Sequence, residues 1–167
     1  HLKRCVKPVH SCFDCGSALA EAEIEYDDKK STAIDVLFPA VDPKALGALF
    51  GVDELASDTG VVIWTTTPWT IPANQAVCLN AELDYVLMHG NHSNAEGDAR
   101  PLDLVVAKAL VETVCERIGL ENPVIRGEVK GQALEHLALH HPYNGQQVPV
   151  ILGEHVTTET GTGAVHT

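Results

Sequence analysis

Three consecutive threonines, Thr65, Thr66 and Thr67, form the segment of this chain with the clearest chemical potential. They follow an apolar stretch and precede two prolines, Pro68 and Pro72. Pro68 favours an extended conformation at Thr67 and disfavours a helix after it. Because side chains alternate along an extended chain, Thr65 and Thr67 share one face and Thr66 takes the other. Three β-branched hydroxyls form a stiff row that can orient a small polar substrate or a water molecule.

An ordinary structural role is the alternative for such a row, because threonine is common at strand ends. His166 has a similar ambiguity, since a single histidine at a strand end often bonds to backbone. The glycines at 161 and 163 favour a functional role for His166, because glycine permits close approach of a ligand.

Cys12 and Cys15 have the spacing of one half of a structural zinc site, and Cys5 or His10 could add a ligand. Such sites normally need four ligands, so zinc is possible here but not favoured. The five cysteines are an odd number without the spacing of a disulfide framework, which indicates a reducing, intracellular compartment.

The elements that must position these residues fit one domain of 167 residues with a hydrophobic core. Short β-branched runs predict strands, and two amphipathic segments predict helices. Asp42, Pro43 and Gly51 are typical of helix boundaries, and so is Gly119 after residues 107–118. Residues 90–98 predict a polar hairpin loop, and residues 17–26 fit either a helix or an extended arm. The predicted strands are residues 34–38, 61–66, 84–89, 102–107, 124–129, 148–152 and 163–166.

This pattern predicts a mixed α/β fold, β-barrel-like, with a few peripheral helices. The net charge of −12 argues against a domain that holds nucleic acid strongly by itself, because such domains usually carry a basic face. No apolar run approaches the roughly 18 residues that cross a membrane.

Residues 64–74 resemble the threonine-rich peptide of the editing domain of isoleucyl-tRNA synthetases, a family of class I aminoacyl-tRNA synthetases. Residues 161–167 resemble the start of that family's second editing motif, and residues 17–26 resemble the segment that leads into the domain. The related valyl and leucyl families typically have an arginine after their paired threonines, whereas Pro68 follows Thr67 here. The resemblance implies an N-terminal arm with the Cys-x-x-Cys pair at 1–30 and an editing domain, truncated at its C-terminal end, at 31–167.

The resemblance implies post-transfer editing, a proofreading step of protein biosynthesis in the cytoplasm. The domain would be an aminoacyl-tRNA deacylase within an isoleucine-tRNA ligase, hydrolysing the ester of mischarged Val-tRNA(Ile). Its partners would be the 3′ end of aminoacylated tRNA(Ile) and the remainder of the synthetase, with no membrane. Editing would need no cofactor, and the parent enzyme would use ATP outside this chain.

Residue roles follow from the same resemblance. Thr65, Thr66 and Thr67 would bind the ester region and place the attacking water. The amide of Asn74 would support them, and His166 would exclude the extra methylene of isoleucine.

Trp69 and Thr70 would shape the pocket or contact the terminal adenosine.

Family members also use an acidic residue shortly after the second motif to hold the substrate's amino group. The sequence stops at Thr167, and no aspartate or glutamate can be assigned that role by motif. We therefore expect the fragment alone to bind weakly or hydrolyse poorly. Three alternatives stay open: a non-catalytic aminoacyl-tRNA-binding fragment, the related editing domain of a valyl- or leucyl-tRNA synthetase, and a small zinc-binding structural domain.

Overall fold

The computed structural model describes residues 8–28, 30–93 and 97–167. The chain divides into two compact units, His1–Lys30 and Ser31–Thr167. In the described part of the first unit, Ser11 and Ala18 form an isolated antiparallel bridge. Residues 17–26, for which the sequence left two possibilities, contain a 3₁₀ turn at Glu21–Glu23 and no longer helix.

The second unit contains two sheets. The larger has the order β1-β2-β5-β4-β6, and the smaller has the order β7-β8-β3-β9. The pairs β2–β5 and β3–β8 are parallel, and the other pairs are antiparallel. In chain order the strands are β1 (Ile34–Pro39), β2 (Asp58–Thr65), β3 (Val77–Leu79), β4 (Asp84–Ser93), β5 (Ala99–Ala107), β6 (Leu120–Lys130), β7 (Ala138–His140), β8 (Gln147–Leu152) and β9 (Ala164–His166).

The prediction of a mixed α/β fold with many strands and few helices is confirmed. An isolated bridge between Ala40 and Leu139 joins the two sheets beside β1 and β7. The sheets form no closed barrel within the described ranges, because β6 and β9 each pair on one side only. The same part of the chain has no helix that is long and apolar enough to cross a membrane.

Both predicted helices are present, as α1 (Pro43–Phe50) and α2 (Val111–Ile118). Asp42 caps α1 by accepting hydrogen bonds from the next two free backbone N–H groups, and Gly51 and Gly119 end the helices in the left-handed conformation. Helix α2 begins later than the predicted residue 107, because Ala107 still pairs with Tyr85 in the sheet.

Three local predictions were wrong. The hairpin loop predicted at 90–98 is shorter, since β4 continues to Ser93 and pairs there with Ala99. The three-residue strands β3 and β7 were not predicted, because they are too short to show a pattern. A 3₁₀ helix at Pro68–Ala73 follows the threonines despite the prolines: Pro68 begins it, where proline is well tolerated, and Pro72 lies inside it.

The core lies between the sheets and helices. Strands from both sheets and the two helices contribute to one continuous cluster of buried apolar side chains. Its largest fully buried members include Phe38, Leu46, Ile63, Ile71, Leu79, Tyr85, Leu87, Met88, Leu104, Leu134 and Leu139.

Candidate functional site

A cavity of about 460 Å³ lies where β2 ends beside β9. One wall comes from the end of β2 and the 3₁₀ helix that follows it. The other wall comes from β9, which reaches this position because it pairs with the short strand β3. The lining residues are uncharged in their usual states: Trp64, Thr65, Thr67, Thr70, Ala73, Asn74, Val165, His166 and Thr167.

The first wall carries a connected row of threonine hydroxyls. Thr65 Oγ1 lies 3.2 Å from Thr67 Oγ1 and accepts a hydrogen bond from the Thr67 backbone N–H at 3.1 Å. The 3₁₀ helix turns the chain back, so that Thr70 Oγ1 lies 3.4 Å from Thr67 Oγ1. Thr70 Oγ1 also donates to the Thr67 carbonyl oxygen at 2.7 Å. The prediction that Thr65 and Thr67 share a face agrees with this geometry.

His166 faces this row from the second wall. Its Nε2 lies 3.3 Å from Thr70 Oγ1. The direction of this hydrogen bond depends on the tautomer of the ring: a protonated Nε2 donates to Thr70 Oγ1, and an unprotonated Nε2 accepts from it. Its Nδ1 is buried and has no hydrogen-bond partner among the described residues. Burial lowers the pKa of His166 below the ordinary 6.5, so the ring is neutral at pH 7.

Asn74 ties the two walls together. It is only 5% exposed, and its Nδ2 donates to the carbonyl oxygens of Ala76 and Thr167 at 2.6 and 3.0 Å. The backbone N–H groups of Gln75 and Ala76 donate to the same Thr167 oxygen. Asn74 therefore positions the segment that carries His166, in addition to lining the cavity.

The backbone before β9 has its own anchor. Tyr85, fully buried, donates from its hydroxyl to the Gly163 carbonyl oxygen at 2.6 Å and accepts from the Asn80 N–H at 3.0 Å. Burial raises the pKa of this hydroxyl to about 12. Gly163 has a φ of 76°, and a methyl group on it would overlap the Ala107 side chain. These contacts fix the turn that leads to His166.

Two predicted site residues lie elsewhere. Thr66 is exposed and does not line the cavity, and its carbonyl oxygen accepts a hydrogen bond from Ser31 Oγ at 2.6 Å. Trp69 is 66% exposed and does not line the cavity. By contrast, Trp64 and Val165 do line it. Both lie within the recognised motifs, but alternation along the chain alone did not assign them a role.

The candidate zinc ligands Cys12 and Cys15 belong to the first unit. Cys15 Sγ lies 3.0 Å from Ser17 Oγ, and this hydrogen bond is the main cause that lowers the pKa of the Cys15 thiol to about 7. No group of three or more His, Cys, Asp or Glu side chains suited to a metal occurs within 8–28, 30–93 and 97–167. Cys5, a further candidate ligand, lies outside those ranges.

Solved structures with the same architecture identify the fold. The chain matches the editing domain of the P. knowlesi cytosolic leucyl-tRNA synthetase with a TM-score of 0.64 and 10% identity, over 84% of this chain and 59% of that one. The corresponding P. falciparum domain, with two insertions deleted, gives a TM-score of 0.63 and 11% identity over 81% and 61%. This likeness shows that the fold is that of an aminoacyl-tRNA synthetase editing domain.

Sequence relatives specify the family. The whole chain is 54% identical over 170 residues to the isoleucine–tRNA ligase of Xanthomonas axonopodis pv. citri, and 56% identical over 167 residues to that of Alcanivorax borkumensis. It spans only 18% and 17% of the length of these curated relatives. No family model matches the chain. The chain belongs to the isoleucine–tRNA ligase family, as a segment with the editing-domain fold, and the predicted resemblance is confirmed.

Proposed function

We propose that this segment performs post-transfer editing by hydrolysing the ester bond of valine misattached to isoleucine tRNA. The observation that carries the proposal is the connected hydroxyl row of Thr65, Thr67 and Thr70 facing a neutral His166 across one cavity. The 3′ end of the aminoacylated tRNA is the proposed partner. Because this domain is acidic, the remainder of the synthetase would supply most of the contacts to that tRNA. The setting would be the cytoplasm, where tRNA is charged.

The need for a second site follows from binding energetics. A hydrophobic pocket discriminates one methylene by only about 1–3 kcal/mol, a magnitude established on isoleucine-versus-valine selection by this very family. A separate cavity that accepts valine and rejects isoleucine raises the overall accuracy. His166, positioned by Thr70 on one side and by its own strand on the other, would supply the wall that excludes the larger side chain.

Hydrolysis by a positioned water fits the groups that line the cavity. The lining residues include no serine, cysteine or carboxylate that could serve as a nucleophile. Thr65 Oγ1 and Thr67 Oγ1 can each accept from and donate to a water or the ester oxygens, and the 3₁₀ helix holds them in place. An ester is already activated, so orientation and hydrogen bonding can supply much of the rate. A ribose hydroxyl of the substrate can assist the water.

The test is deacylation of Val-tRNA(Ile) and Ile-tRNA(Ile) by the full-length ligase that carries this segment. We expect the wild-type enzyme to release valine well above the spontaneous rate and to spare isoleucine. His166→Ala should open the cavity, so that Ile-tRNA(Ile) becomes a substrate. His92→Ala, at an exposed histidine of the same unit that does not line the cavity, is the matched control. No acceleration by the wild-type enzyme, or unchanged discrimination in His166→Ala, would contradict the proposal.

The hydroxyl row has a separate test. Thr67→Val removes one hydroxyl without changing the side-chain shape, and we expect a loss of about 100-fold in the deacylation rate, as for other preorganised donors. Thr66→Val removes the same atom from an exposed side chain that does not line the cavity, so a smaller loss is expected. Equal losses in the two variants would mean that the row does not act through the cavity.

A further inference from the structure

Arg117, in the last turn of α2, connects four separate segments of the second unit. Its Nε and Nη2 donate to the two carboxylate oxygens of Asp35 on β1 at 2.7 and 2.6 Å. Its Nη2 also donates to the Gly161 carbonyl oxygen at 3.2 Å. The guanidinium carbon lies over the ring of Trp64 on β2, 5.9 Å from the ring centre. One side chain therefore contacts β1, β2 and the turn that precedes β9.

Each of these contacts leads to a wall of the cavity. Trp64 lines the cavity and directly precedes the threonine row, and Asp35 lies opposite Trp64 in the β1–β2 register. Gly161 has a φ of 86° and begins the turn that precedes His166. The Trp64 side chain packs against the position where a Cβ atom of residue 161 would lie. Arg117 itself does not line the cavity. Any effect on the reaction must pass through Trp64 and Gly161.

The chemistry of the contact requires arginine. A guanidinium presents its donors in a planar fork that matches a carboxylate with two parallel hydrogen bonds, and its flat face packs over an aromatic ring. A lysine ammonium could pair with Asp35 but could not reproduce the second parallel bond and the planar packing on Trp64. The Arg117 side chain is 27% exposed and that of Asp35 is 16% exposed, so solvent only partly screens the pair.

We propose that Arg117 is a positioning residue for the editing reaction, which holds the Trp64–Thr65 segment and the Gly161 turn at the separation that sizes the cavity for valine. The proposal rests on the function proposed above. It predicts that loss of the guanidinium changes turnover and discrimination, because displacing a reacting group by about 1 Å can lower a rate roughly 100-fold.

The experiment compares Arg117→Met, Arg117→Lys and Arg126→Met in the full-length ligase that carries this segment. Arg126 is the matched control: its side chain is also 27% exposed and it also pairs with an aspartate, Asp103, but it does not line the cavity. The measurements are kcat and KM for deacylation of Val-tRNA(Ile) and Ile-tRNA(Ile), the melting temperature, and aminoacylation as a check on the separate synthetic site.

We expect Arg117→Met to lower kcat for Val-tRNA(Ile) at least tenfold and to reduce the valine-to-isoleucine rate ratio at least threefold. Arg117→Lys should give intermediate values. Arg126→Met should lower the melting temperature by a comparable amount and leave the ratio unchanged. If Arg117→Met is too unstable to assay, Arg117→Lys and Asp35→Asn carry the same prediction, because each weakens the two parallel hydrogen bonds between Arg117 and Asp35.

A rate ratio and kcat within twofold of wild type in the folded Arg117 variants would overturn the inference. Parallel losses in the Arg117 and Arg126 variants would also overturn it, because they would show a purely structural role. Absence of Val-tRNA(Ile) hydrolysis by the wild-type enzyme would instead refute the proposed function, so the two failures are distinguishable.

Discussion

Tyr85 offers a direct test of how the turn before β9 is held. The variant Tyr85→Phe removes one oxygen atom from a fully buried ring and keeps its packing. It leaves the Gly163 carbonyl without its 2.6 Å donor and the Asn80 N–H without its 3.0 Å acceptor. A buried polar group that loses its partner costs about 1–3 kcal/mol, and the Asn80 bond is only partly buried. We expect a total loss of about 2–3 kcal/mol in the free energy of unfolding.

The assay is equilibrium urea unfolding of the chain at pH 7, followed by tryptophan fluorescence. For a domain of this size the expected loss corresponds to a fall of about 5–10 °C in melting temperature. Tyr143→Phe is the matched control, because it removes the same atom from a ring that is 68% exposed. A loss in Tyr85→Phe no larger than that in Tyr143→Phe would refute the reasoning.

The pH dependence of the free energy of unfolding gives a second test, made on wild type and Tyr85→Phe. Burial raises the pKa of Tyr85 from 10.0 to about 12, so the unfolded chain loses this proton first as pH rises. The stabilisation by neutral Tyr85 is therefore complete below pH 10 and is lost between pH 10 and about 12. The difference in stability between wild type and Tyr85→Phe should shrink over that interval. A constant difference would contradict the assignment.

Two further predictions concern the same wall of the cavity. Gly163→Ala should lower the free energy of unfolding by more than Gly145→Ala. Both positions have a positive φ, which costs a residue with a side chain about 1–2 kcal/mol, but only at Gly163 would the added methyl group also overlap the Ala107 side chain. Equal losses in urea unfolding would show that the overlap with Ala107 does not matter. Because burial lowers the pKa of His166 below 6.5, its contribution to stability should be complete above pH 6.5 and be lost as pH falls below it. The stability difference between wild type and His166→Gln, measured from pH 7.5 to 5, should therefore change with pH, and a flat difference would contradict the prediction.

The sequence by itself determined the elements whose signals lie within a few residues. Asp42 and Gly51 bound α1 because a side-chain cap and a left-handed glycine act locally. The apolar run before Thr65 predicted β2, and the motif around it predicted the family that the relatives confirm. The shared face of Thr65 and Thr67 also followed from local alternation.

Only the tertiary structure decided which of the candidate residues meet. His166 reaches Thr70, 96 positions away in sequence, because β9 pairs with β3, and β3 is too short to be predicted without its partners. The 3₁₀ helix that turns Thr70 back toward Thr67 was also missed, since its prolines argued against a helix. Non-local strand pairing draws its stability from contacts between distant residues, and such contacts leave no periodic pattern in a single sequence.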